Sequence, residues 1–126
     1  MNLKLLFIIN AVLALLFGLA FVLIPEDTLA QYGAKLMPKA GIYVARLFGA
    51  TLLGIAVISW FAQSLGASDI RSSIILGFFV VDVVGFVVSL LAQLDGVVNN
   101  LGWTTVAIYL LLGLGFGYFR FMKAGA

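Results

Sequence analysis

The sequence contains no cysteine and no histidine. Without cysteine there is no disulfide, no thiol redox chemistry and no iron–sulfur ligation. Without histidine the commonest general base, the commonest haem ligand and most zinc sites are gone. Charge is scarce as well. Lys, Arg, Asp and Glu make up 10% of the 126 residues, where a soluble domain carries roughly a quarter. So few charges cannot clothe a water-facing surface. The seven basic residues are scattered among five acidic ones for a net charge of +2. That scatter gives no footing for nucleic acid and fits the flanks of membrane spans.

Apolar surface is abundant. Hydrophobic residues make up 64% of the chain, and the mean hydropathy is +1.24. Four apolar runs stand out, at about residues 5–24, 42–62, 72–93 and 101–119. Each approaches the ~20 residues that a helix needs to cross the hydrocarbon of a bilayer. The first run is longer than the ~7–15 apolar residues of a signal peptide. All four are continuous rather than alternating, which argues against a β-barrel. The expected fold is therefore all-α: one domain over residues 1–126, forming an antiparallel, up-down-up-down, four-helix integral membrane bundle. The two later connections are short enough to make consecutive helices antiparallel neighbours. The first is longer. Pro25, Glu26 and Asp27 suit a first helical turn, and Gly33 suits a helix end. Residues 25–32 therefore read as a short interfacial helix dipping Leu29 and Tyr32 into lipid or protein, or else as a polar loop.

Flanking charge sets the expected orientation. Lys4, Arg71, Arg120 and Lys123 lie on the side of both termini, against Lys35 and Lys39 on the other. Four against two places the termini in the cytoplasm. Trp60 and Trp103 fall at the expected inner and outer boundaries, where indole rings anchor.

Small residues recur at one-turn spacing. Ala45 and Gly49 form one pair, Ala50 and Gly54 another, and Gly113 and Gly117 a third. Such patterns let helix backbones approach closely in lipid, within the bundle or against a partner. Gly18 has no glycine one turn away and is expected to matter less. The Gly113–Gly117 segment has the letters of a glycine-rich loop, but no strand precedes it and no Lys-Ser/Thr follows, so it is not a phosphate cradle.

Three polar residues inside the spans carry the functional argument: Asn10, Arg46 and Asp82. Arg46 lies near the outer end of its span, where its stem could snorkel. Asp82 lies near mid-span on a side chain too short to do so. It is expected to be protonated, to face the interior and to hydrogen-bond near Thr51 or Tyr109. Along antiparallel helices Arg46 and Asp82 stand about 9 Å apart in depth, so a direct pair is not favoured. On this reading Asp82→Leu costs more stability than Asp82→Asn. Asn10 reads as an amide that glues helices together.

No Cys–His or Ser–His pair exists, Asp82 is the only carboxylate in the spans, and no residue set matches a metal site. Neither a catalytic residue nor an enzymatic activity is expected.

Leu6-Phe7-Ile8-Ile9-Asn10-Ala11, Ala45-Arg46-Leu47-Phe48-Gly49-Ala50 and Leu101-Gly102-Trp103 together resemble segments of a family of small, uncharacterised bacterial four-helix membrane proteins. That resemblance implies the architecture and a bacterial inner membrane, cellular or photosynthetic; it implies no activity. The expected role is a non-catalytic accessory or structural subunit of a larger membrane complex, respiratory or photosynthetic. Its ligands would be lipid or pigment, its partners membrane lipids and other integral subunits or a second copy. The alternative is a small proton-coupled transporter, acting as an oligomer through Asp82 and Arg46.

Overall fold

A computed structural model describes residues 2–34 and 38–123. Lys35, one of the outer flanking charges, lies outside the described residues. The described chain is helical throughout its regular structure: α1 (Leu3–Leu23), α2 (Pro25–Gln31), α3 (Lys39–Ala62), α4 (Asp69–Leu94) and α5 (Gly102–Gly117). A π-helical turn, Tyr118–Met122, continues α5. Four helices, counting that turn with α5, are long and apolar enough to span a bilayer. Their surface confirms the solvent: Phe61 is 70% exposed and Leu111 67%. Rings and aliphatic chains in such number are stable on the outside only in lipid.

Local chemistry sets the helix ends and explains where they pass the apolar runs. The Asn2 side chain accepts from the Leu5 amide at 2.7 Å and starts α1 two residues before the run. Ser68 caps α4 through the Arg71 amide at 3.2 Å, drawing polar Asp69 and Arg71 into the helix. Pro25 occupies the first turn of α2, where its missing N–H costs nothing. The Thr28 hydroxyl donates to the Ile24 carbonyl at 2.7 Å, fastening this short helix to the end of α1. Gly33 and Gly96 have φ of +96° and +74°, and they turn the chain after α2 and α4.

The packing order departs from the order in sequence. α1 packs along α3, and α4 packs along α5. These two pairs meet through α1 and α5, so the order across the bundle is α3–α1–α5–α4. Although a short loop joins α3 and α4 as antiparallel neighbours, they barely touch. A short loop limits separation only at its own end, and small residues decide which helix faces approach.

At that end the pairs close on one core. Leu6 and Phe7 of α1, Ala62 of α3, Ile75 and Phe78 of α4, and Phe116 of α5 are all buried there. The Phe7 ring lies 6.3 Å from Phe78 and 5.7 Å from Phe116, centroid to centroid, within the range of favourable aromatic pairs.

The α1–α3 seam is tightest where Gly18 meets Gly49. A Cβ on Gly49 would stand 2.8 Å from the Gly18 carbonyl oxygen, and one on Gly18 would stand 3.1 Å from that of Gly49. Gly18 is thus a packing glycine, contrary to the expectation from one-turn spacing. Its partner lies on the other helix. Ala45 is buried one turn from Gly49. Gly113 backs onto the Asp82 Cβ, and Gly117 onto the Phe79 ring. Gly54 does none of this, for a Cβ there would meet nothing within 4 Å. Its helical phase turns it outward, so its assignment to packing within the bundle is corrected.

A lateral cleft between two helix pairs

Because the two pairs join at the end of the bundle that holds the α3–α4 loop (called inner here, the opposite end outer) and α3 stands off α4, a cleft of about 320 Å³ opens between them. Its rim includes the exposed side chains of Phe48 and Thr51 on α3 and Val81 on α4. The cleft therefore faces the lipid between α3 and α4. At its outer end α2 leans over it, bringing Leu29 and Tyr32 to the wall.

A polar latch holds that outer end. The Asn99 amide side chain donates to the Gln31 carbonyl at 3.0 Å, and its backbone N–H donates to the Tyr32 carbonyl at 2.9 Å. Gln93 donates to the Asn99 carbonyl at 3.1 Å, and the Thr105 hydroxyl meets that of Tyr32 at 3.4 Å. The α4–α5 loop thus ties one helix pair to the short helix of the other. Nothing in the sequence pattern singled out Asn99.

At the inner end of the cleft lies a second polar group. The Asn10 amide donates to the Ser59 hydroxyl at 3.1 Å, and Ser59 donates to the Phe7 carbonyl at 2.7 Å. Both residues are buried, at 6% and 0% exposure. The amide joins α1 to α3, as a buried amide between membrane helices is expected to. Ser59 was not foreseen. The available signal was a lone hydroxyl on an antiparallel helix near the depth of Asn10.

Between these ends sits Asp82. It is 3% exposed and lines the cleft with Asn10, Thr51 and Tyr109. Depth counting therefore chose the right neighbourhood. The expected hydrogen bonds are not made. Among the described residues Oδ2 of Asp82 has no partner. Thr51 donates instead to the Leu47 carbonyl of its own helix at 3.1 Å. The standing-off of α3 from α4 explains this: a hydroxyl across the gap takes the nearer carbonyl one turn back. Tyr109 lays its ring over Gly85, where any Cβ would collide with it. That contact seats the ring on α4 and also went unread in the sequence.

Arg46 takes no part. It is exposed on α3 and is not among the residues lining the cleft. No ion pair joins it to Asp82 among the described residues. Trp60 and Trp103, both about half exposed, lie in the last turn of α3 and the first turn of α5.

Five aromatic rings line the cleft: Phe17, Phe21, Tyr32, Phe48 and Tyr109. Phe21 and Phe48 meet edge to face with centroids 5.3 Å apart. Among the described residues no Lys or Arg lines it, and Asp82 is its one carboxyl group. Such a space suits a membrane-dissolved molecule with an apolar body and one polar group.

These features define a four-span helical membrane protein with a lateral cleft in the outer half of its bundle. The chain belongs to the family described as domain of unknown function DUF8292, whose model matches residues 1–119. No curated protein and no solved structure matches it.

Proposed function

We propose that this protein is a non-catalytic membrane subunit that holds one lipid-like or pigment-like molecule in the cleft between its helix pairs. One observation carries the reading: an apolar cleft open to lipid, with a buried carboxyl oxygen inside it that no group among the described residues satisfies. An unsatisfied buried polar group is costly, and a ligand group would supply the missing hydrogen bond. The role is an accessory one, within a larger assembly of a bacterial inner membrane. Ala50 and Gly54 support that part. They lie one turn apart on an exposed face of α3, as a neighbouring helix would require. The competing reading, a proton-coupled transporter using Asp82 and Arg46, draws support from Asp82 alone, because Arg46 lies outside the cleft.

Native mass spectrometry of the protein extracted in mild detergent tests both parts. The expected spectrum shows one apolar small molecule per chain, together with partner polypeptides at fixed ratio. Thr51→Trp should displace the small molecule by filling the cleft, with no loss of a bond between helices. A spectrum of bare monomer, unchanged by Thr51→Trp, would refute the proposal.

A further inference from the structure

The chemistry of the cleft wall narrows the ligand class, on the reading that the cleft binds a ligand at all. We infer that the cleft selects a lipophilic amine in its cationic form, with the ammonium group at Asp82 and the apolar body among the rings.

Three features of the wall point the same way. First, among the described residues its only carboxyl is that of Asp82, which is 3% exposed with Oδ2 unpartnered. A cation supplies both the charge and the N–H donor that this oxygen lacks, and such charge-assisted bonds are the strong ones. Second, no basic side chain lines the wall among the described residues, and Arg46 is exposed outside it. Third, Phe48 and Tyr109 line the same space as Asp82. Aromatic faces attract cations, and more so where water is excluded.

A neutral alcohol would satisfy the hydrogen bond but gain nothing from the charge or the rings. An anionic lipid would oppose the carboxylate form of Asp82, which an ammonium partner favours. Of the other polar groups, Asn10 is engaged with Ser59, Thr51 with Leu47 and Thr105 with Tyr32, and the Tyr109 hydroxyl, which carries no charge, shares the wall with Asp82. The polar group of a ligand is therefore directed to Asp82. Access is sideways from the lipid, because the Asn99 latch closes the outer end and the Phe7–Phe78–Phe116 core closes the inner one.

The test uses two probes with the same rigid body, 1-adamantanamine and 1-adamantanol, titrated into the full-length protein in lipid nanodiscs at neutral pH. The amine should bind about tenfold or more tightly than the alcohol, the effect of one charge-assisted contact. Asp82→Asn should erase that preference by lowering the amine's affinity to about that of the alcohol, and a circular-dichroism spectrum matching that of the unaltered protein shows that the variant is folded. In the unaltered protein, nuclear Overhauser contacts should run from the cage protons to the rings of Phe48 and Tyr109. Equal binding of both probes, or a preference that survives Asp82→Asn, would overturn the inference and leave the cleft reading standing. Failure of both probes to bind, or cage contacts only to Trp60 on the outer face of α3, would overturn it too. The mass-spectrometric test above would then decide the cleft reading by itself.

Discussion

The carbonyl oxygen of Gly18 lies 2.8 Å from the place where a Cβ on Gly49 would stand. Two helices that approach this closely leave no room for a side chain at either position. In lipid, where apolar surface drives no association, such contact between backbones is itself a main source of cohesion.

The first prediction follows from that crossing. Gly49→Leu and Gly18→Leu should each lower stability in detergent by about 1–3 kcal/mol, the usual cost of overpacking. Gly54→Leu should change it little, because nothing lies within 4 Å of a Cβ there. Thermal unfolding of the three variants checks this, and a loss at Gly54 equal to that at Gly49 would contradict the seam.

The fold was more legible than the cleft, for physical reasons. Apolar runs report on spans directly, since each helix must satisfy its own backbone and match the bilayer. Pro25 and Gly33 marked α2 because they act locally. Pairing of helices is different. Small-residue spacing marks Gly49, but one helix cannot show which helix will face it, so the spacing leaves Gly18 unmarked and does not tell that Gly54 has no neighbour within the chain. Asp82 stood out because a carboxyl at mid-span is rare. Its lack of a partner was hidden, because depth along a helix says nothing of the gap across it.

The second prediction concerns the buried link from Asn10 to Ser59. Interhelical hydrogen bonds of this kind are worth ~0.6 kcal/mol on average in membrane proteins, and up to ~1.7. Here the Ser59 hydroxyl also serves the Phe7 carbonyl. Ser59→Ala should therefore cost more than Asn10→Leu, because it leaves the Asn10 amide buried with no acceptor. A double-mutant cycle in chemical unfolding measures the coupling. Additive single effects would show that the two side chains do not act together.

The third prediction concerns orientation. Four flanking basic residues against two lead us to expect both termini in the cytoplasm. The chain has no cysteine, so single cysteines report cleanly. Gly66→Cys, in the α3–α4 loop on the side of the termini, should resist a membrane-impermeant thiol reagent in intact cells. Asn100→Cys, in the α4–α5 loop, should label. The opposite pattern would invert the protein in its membrane and leave the four spans unchanged.

The last prediction concerns the carboxyl in the cleft and reverses what its position in the sequence suggested. A mid-span acid was expected to serve a buried hydroxyl, so that its loss would cost stability. In the structure Thr51 bonds within its own helix, and Oδ2 of Asp82 has no partner among the described residues. Removing an unsatisfied buried polar group relieves its desolvation cost, about 1–3 kcal/mol. Asp82→Leu should thus unfold at the same or a higher temperature than the unaltered protein when no ligand is added. Asp82→Asn, which keeps a polar group in the same place, should gain less. Added 1-adamantanamine should reverse the order, since a bound ligand stabilises only the protein that can hold it. Unfolding curves of the three proteins, with and without the amine, provide the measurement. A loss of more than 1 kcal/mol in Asp82→Leu without ligand would show that Asp82 supports the fold through a contact this structure does not contain. A gain would mark the residue as one kept at a cost to stability, and side chains of that kind belong to function rather than to folding.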